Sequence, residues 1–215
     1  MIAEAAAYVN SARPRAPARD VFHIDRALEF FSTDELAKQI GHGRPEWAPA
    51  LLAELIANGL DAMEKHPADT PSITVDIGPD HFAVVDSGPG VPWALVEDSL
   101  DYQYRVSDKA FYVGPTRGCQ GNAWKCLWAA PFVDSDGERS AVGVEAHGQR
   151  REVVVEFDPV AQKHRLFLTP AAPSVVKIGS KFTVPWVGAA GLTRAAPRPP
   201  FLPRRVFGRL RHRGD

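Results

Sequence analysis

The sequence predicts an α+β domain, a two-layer α/β sandwich with helices on one face of a mixed, mostly antiparallel sheet. Three observations predict it. Helical patterns come first and in the middle of the chain. Four alternating segments, Ala141–Ala146, Glu152–Phe157, Arg165–Thr169 and Lys181–Trp186, fill the second half and read as antiparallel strands. A hairpin precedes them: Ser72–Ile77 and His81–Asp86, joined by the turn Gly78-Pro79-Asp80.

Each element has a local reason. Residues 1–22 are rich in Ala, Arg and Pro and give no clear element, so a flexible arm is expected. Residues 26–41 contain a helix with Ser32 or Thr33 as N-cap, Glu35 nearby, and Gly41 as its stop. The main helix runs from about Glu46 to His66, where Pro67 ends it. Residues 92–101 look helical, 102–117 irregular, and the residues after Gly121 through Ala130 helical again. From Ala195 onward Pro and Arg dominate. The folded domain is therefore placed at residues 23–190 and a basic tail at 191–215.

Composition sets further bounds. The chain has 215 residues, 45% hydrophobic and 24% charged, which suits one domain with a sizeable core plus tails. Its longest apolar runs fall far short of the roughly 18–20 residues of a membrane helix, and no secretory leader is visible at the start. No membrane partner is expected. Cys119 and Cys126 would lie about 10 Å apart along a helix, too far for an unstrained disulfide. A reducing, cytoplasmic setting is expected. The seven histidines are scattered, which gives no zinc-like cluster. The five tryptophans read as core or edge packing. Net charge is −1 but uneven: residues 194–215 hold seven Arg and one Asp, a surplus of six positive charges, leaving −7 on residues 1–193. Such a tail suits phosphate contact with DNA or RNA through counterion release, and equally a solvated segment.

The chemistry-bearing residues lie in short segments. Glu54, Asn58 and Asp61 sit at i, i+4 and i+7, which stacks them on one face of the main helix. Leu51, Leu52, Leu55, Ile56 and Leu60 largely take the other face. Glu54 can accept a proton from water, and the Asn58 oxygen can bind a hard cation such as Mg²⁺. Asn is a poor mid-helix residue and needs a reason to be there. Asp86 ends a strand and can accept a hydrogen bond from an exocyclic amine. Gly88 and Gly90 then let the backbone turn and approach a flat ligand without a Cβ in the way. Gly118 and Gly121 bracket a turn ahead of the next helix, whose start favours phosphate, with Arg117 and Lys125 adding charge.

Together, Glu54-x-x-x-Asn58-x-x-Asp61-Ala62 and Asp86-x-Gly88-x-Gly90 resemble the N-box and glycine box of the GHKL ATPases, the superfamily of DNA gyrase and the histidine kinases. Ser107 to Lys125, with Arg117-Gly-Cys-Gln-Gly121, looks like the ATP lid of the type IIB DNA topoisomerase ATPase subunit. Gly179-Ser180 resembles the short Gly-Thr motif that closes the nucleotide site, with Ser in place of Thr. The resemblance covers about residues 28–187 and implies the Bergerat ATP-binding fold.

It implies that Glu54 is the general base for water, Asn58 the Mg²⁺ ligand and Asp86 the adenine reader. Gly88, Gly90 and Ser180 complete the nucleotide site. Asp61 either hydrogen-bonds into that site or supports the glycine turn. Lys109, Arg117, Gly118, Cys119, Gln120, Gly121, Asn122 and Lys125 make up the nucleotide-contacting lid. Lys109 and Lys125 are equally open to an ordinary solvated role, and the Cys119 thiol itself reads as structural.

The implied activity is Mg-dependent ATP binding with slow hydrolysis. Lid closure and homodimerisation on ATP would act in a DNA-related complex, with DNA and a DNA-cleaving or other effector subunit as partners. In the resembled family a transducer domain supplies a lysine to the γ-phosphate. Residues 187–215 contain no lysine, so slow turnover is expected, and no DNA strand passage by this chain alone. The alternative is a non-hydrolysing, nucleotide-gated binding module.

Overall fold

A computed structural model describes residues 30–65, 70–102, 122–137 and 139–192. The expected arm, most of the lid (103–121) and nearly all of the tail lie outside these residues.

Helix α1 spans Thr33–Ile40. Ser32 caps it, its Oγ accepting the Glu35 N–H at 3.4 Å. Gly41, at φ 81°, ends it in the left-handed conformation that favours glycine. A 3₁₀ turn at Arg44–Glu46 leads into helix α2, Trp47–Lys65. The hairpin follows as β1 (Ile73–Ile77) and β2 (His81–Asp86). Helix α3 is Trp93–Asp98, shorter than the sequence suggests, and helix α4 is Ala123–Asp134. Strands β3 (Ser140–Ala146), β4 (Gln149–Asp158), β5 (Lys163–Leu168), β6 (Ala172–Pro173) and β7 (Ser180–Pro185) complete the order, ahead of a 3₁₀ turn at Ala189–Gly191. The two-residue β6 and both 3₁₀ turns carry no sequence periodicity and were not expected.

The strands form one sheet in the order β1-β2-β7-β3-β4-β5, with β6 also on β4. The architecture is the expected α+β one, and every described pairing is antiparallel. The last strand in sequence is central in space. On one side β7 pairs with β2, Phe82 opposite Val184; on the other it pairs with β3, Val144 opposite Phe182.

Alternation along the strands makes one face apolar. Phe82, Val84, Val142, Val144, Val153, Val155, Phe182 and Val184 join Leu51, Leu55, Leu127 and Trp128 of the helices in one core. Helix α4 is buried for nine successive residues, Lys125–Val133, as befits a helix that is apolar on nearly every side. That burial carries it through Pro131, where a helix would ordinarily break. Arg44 fixes α4 to the start of α2. Its Nε donates to Asp134 Oδ1 at 2.9 Å and a terminal nitrogen donates to the Asp134 carbonyl at 2.5 Å. No helix among the described residues is long and apolar enough to cross a membrane.

Trp128 anchors this layer: it is fully buried, and its Nε1–H donates to Ser99 Oγ at 2.9 Å. Trp128→Ala is expected to lower stability by about 3–5 kcal/mol in urea unfolding. Val160→Ala, at a position 93% exposed, should stay within about 0.5 kcal/mol.

Candidate functional site

The site lies where α2, the end of β2 and the start of β7 meet. Along α2, Glu54 and Asn58 are half-buried and Asp61 is buried, so the polar face turns toward the protein rather than away from it. Glu54 and Asn58 line a small pocket with Ala123, Trp124 and Leu127 from the beginning of α4. The helix expected to carry phosphate-facing groups thus stands directly opposite the carboxylate–carboxamide pair. The Glu54 charge reaches across to α4. With burial as the larger cause, it pushes the Cys126 thiol up to about 12.

Asp86 reaches the site from the sheet. It shares the inward face of β2 with Phe82 and Val84 and is only 8% exposed. Burial raises its carboxyl pKa, while the Gly88 N–H and contacts from Ser180 pull it back. The Gly88 N–H donates to Asp86 Oδ1 at 2.8 Å, an Asx turn that fixes the start of the glycine loop. Ser180 joins that loop to β7, its Oγ accepting the Val91 N–H at 2.9 Å.

Three glycines make these approaches possible. A Cβ on Gly59, in the middle of α2, would stand 3.2 Å from Asp86 Cβ, so helix and strand are close here. One on Gly88 would stand 2.9 Å from Asp86 Oδ1 and 3.3 Å from Ala62 Cβ. One on Gly179 would lie 1.8 Å from the Asp86 carbonyl oxygen, and Gly179 also has φ 77°, so no other residue fits.

The structure therefore brings Glu54, Asn58, Asp61, Asp86, Gly88, Gly90 and Ser180 into one region. Asn122 lies at the α4 start, but its side chain is engaged elsewhere: Nδ2 donates to Gln39 Oε1 at 2.7 Å. Lys125 is 2% exposed, with Nζ 5.4 Å from the centre of the Tyr102 ring. The Tyr102 hydroxyl donates to the Lys125 carbonyl at 2.7 Å. The solvated helix lysine left open by the sequence does not describe it. Lys109, Arg117, Gly118, Cys119, Gln120 and Gly121 lie outside the described residues.

Sequence reasoning named Gly179 only within the Gly-Thr-like motif, and did not single out Gly59 or His147 as parts of the site. Gly59 had a usable signal, since a mid-helix glycine costs about 1 kcal/mol and marks a close approach. His147 had none. Among the described residues no group of three or more His, Cys, Asp or Glu could hold a metal. Mg²⁺ makes lighter demands. One or two protein oxygens suffice when substrate phosphates and water complete its shell, and the half-buried Asn58 beside Glu54 fits that role.

No family model and no curated protein matches the chain. It is similar to the N-terminal domain of a DNA repair protein at 18% identity and a TM-score of 0.37, covering 67% of this chain and 37% of that one. It is also similar to the ATPase and transducer domains of DNA topoisomerase II from Balamuthia mandrillaris, at 15% identity and a TM-score of 0.41, over 65% of this chain and 37% of that one. The chain spans little more than a third of the length of either. At these values neither likeness assigns a family or an activity.

Two tests follow from the geometry. Gly179→Ala adds a clash with Asp86 to left-handed strain and is expected to lower stability by about 2–5 kcal/mol in denaturant unfolding. Gly148→Ala, at φ 74° with nothing within 4 Å of the added Cβ, should show only the strain, about 1–2 kcal/mol. For Asp86 the sign is set by its raised pKa. Its contribution is fully present below the unfolded carboxylate pKa and is lost as pH rises through the folded one. Asp86→Asn is therefore expected to be at least as stable as the wild type at neutral pH. The wild type should gain on the variant as pH falls through the carboxylate range, read from melting curves across pH.

Proposed function

We propose that this chain binds Mg-ATP between α2, the glycine loop and the α4 start, and hydrolyses it slowly. The observation that carries the reading is convergence. Segments around residues 54–62, 86–91 and 179–180, far apart in sequence, supply the Glu54/Asn58 pair, a buried carboxylate and a hydroxyl at one place. A carboxylate held against the cost of burial at a strand end, flanked by backbone a planar ring can approach, suits an adenine amine.

In this reading Asp86 accepts from the adenine amine, and Ser180 steadies Asp86 and the loop through Val91. Asn58 holds Mg²⁺, which, when bound, neutralises phosphate charge and orients the phosphates. Glu54, one turn from Asn58, positions the attacking water and takes its proton. Asp61, buried on α2, hydrogen-bonds into the nucleotide site or supports the glycine turn, and the start of α4 faces the phosphates. Lid closure and homodimerisation on ATP, with DNA and an effector subunit as partners, belong to the same proposal and rest on the motif resemblance.

Calorimetric titration with a non-hydrolysable ATP analogue, with and without Mg²⁺, tests the site. Wild-type protein should bind in a Mg²⁺-dependent way. Asp86→Asn should lose about 10- to 100-fold in affinity, the scale of a lost charged hydrogen bond. Glu54→Ala should retain binding but lose about 100-fold or more in turnover. Absence of binding by folded wild-type protein would overturn the reading. Binding with no Glu54-dependent turnover would leave a nucleotide-gated module.

A further inference from the structure

The β3–β4 hairpin turns through His147 and Gly148, at φ 53° and 74°. Positive φ at both central positions is the type I′ arrangement, where Asn, Asp or Gly is the usual first residue. A histidine tolerates the left-handed region better than most side chains, yet it is not among the usual first residues of this turn, which points to a role for its ring.

His147 Nε2 lies 3.2 Å from the Val91 carbonyl. A carbonyl only accepts, so Nε2 carries the proton and donates. The same ring lies against Gly90: a Cβ there would stand 2.9 Å from His147 Cε1 and 3.0 Å from the Gly179 carbonyl. Gly90 is therefore caught between the imidazole and β7's approach, at φ 91°. The hairpin is itself tied down. The Gly148 N–H donates to the Val176 carbonyl and the Ser174 N–H to the Gly148 carbonyl, both at 2.8 Å. Ser174 Oγ in turn donates to Glu145 Oε2 at 2.6 Å.

We propose that His147 is a positioning residue for the nucleotide site. From the far hairpin it clamps the glycine loop at Gly90 and Val91 in the conformation that receives the base. The role rests on the nucleotide reading above. It places a residue more than fifty positions beyond the glycine loop, in no recognised motif, in control of that loop's shape.

His147→Asn tests it, because Asn suits the turn and is too short to reach Val91. The variant should melt at or above the wild-type temperature. It should bind the non-hydrolysable ATP analogue about three- to tenfold more weakly, the scale of one lost neutral hydrogen bond. Amide hydrogen exchange at Gly88 and Val91, whose N–H groups bond Asp86 and Ser180, should speed up in the nucleotide-free variant. A fold-wide destabilisation with no selective change at the loop would mean a merely structural role and overturn the proposal. So would unchanged exchange and unchanged affinity. If wild-type protein binds no nucleotide, the exchange arm still decides whether the clamp exists, so its failure and the failure of the nucleotide reading are separable.

Discussion

The structure depends on one close contact, the backbone of Gly179 against the carbonyl of Asp86. Strand β7 is last in sequence yet lies between β2 and β3. Its first residue, Ser180, pairs with Ala146 of β3, and its Oγ holds Val91 just beyond the glycine loop. A side chain at position 179 would meet the Asp86 carbonyl and force β7 to shift where it enters between β2 and β3. The same contact that closes the sheet builds the floor of the candidate site. Fold and site therefore share a seam, and a change at that seam reaches both.

The seam carries an electrostatic cost. Packing alone would place an apolar residue at the inward end of β2, in line with Phe82 and Val84. Asp86 stands there instead, its charged form disfavoured by burial and only partly compensated by Gly88 and Ser180. Asp61 is buried nearby on α2. A protein whose stability is a small difference of large terms retains such groups where they serve something other than packing. That cost, more than any single distance, sets this corner apart from the largely apolar core around Phe82, Val144 and Val184.

Much of this was legible in the sequence, because periodicity and capping act locally. The cap at Ser32, the stop at Gly41 and the alternating strands follow from nearest-neighbour chemistry, and the structure has them; the expected division of α2 into a polar and an apolar face is less clean, since Leu51 and Leu55 line the same pocket as Glu54 and Asn58. What was not legible depends on residues far apart in the chain. Helix α4 continues through Pro131 because tertiary burial outweighs a local break. Lys125 is buried near the Tyr102 ring, which no helical pattern reveals. Strand β6 exists only as β4's partner, at Gln149 and Arg150. Gly179 is indispensable because of where Asp86 is, and His147 matters because of where Val91 is.

The start of α4 shows how side chains divide the work around the pocket. Asn122 holds the N-cap position, and Asn is among the residues best suited to cap with its own side chain. Here it makes no such bond and reaches to Gln39 near the end of α1 instead. Helix α1 thereby anchors α4 at the end facing the pocket, as Arg44 anchors it at the other. The local preference of Asn for its own helix start yields to a contact between two helices that lie more than eighty residues apart in the chain.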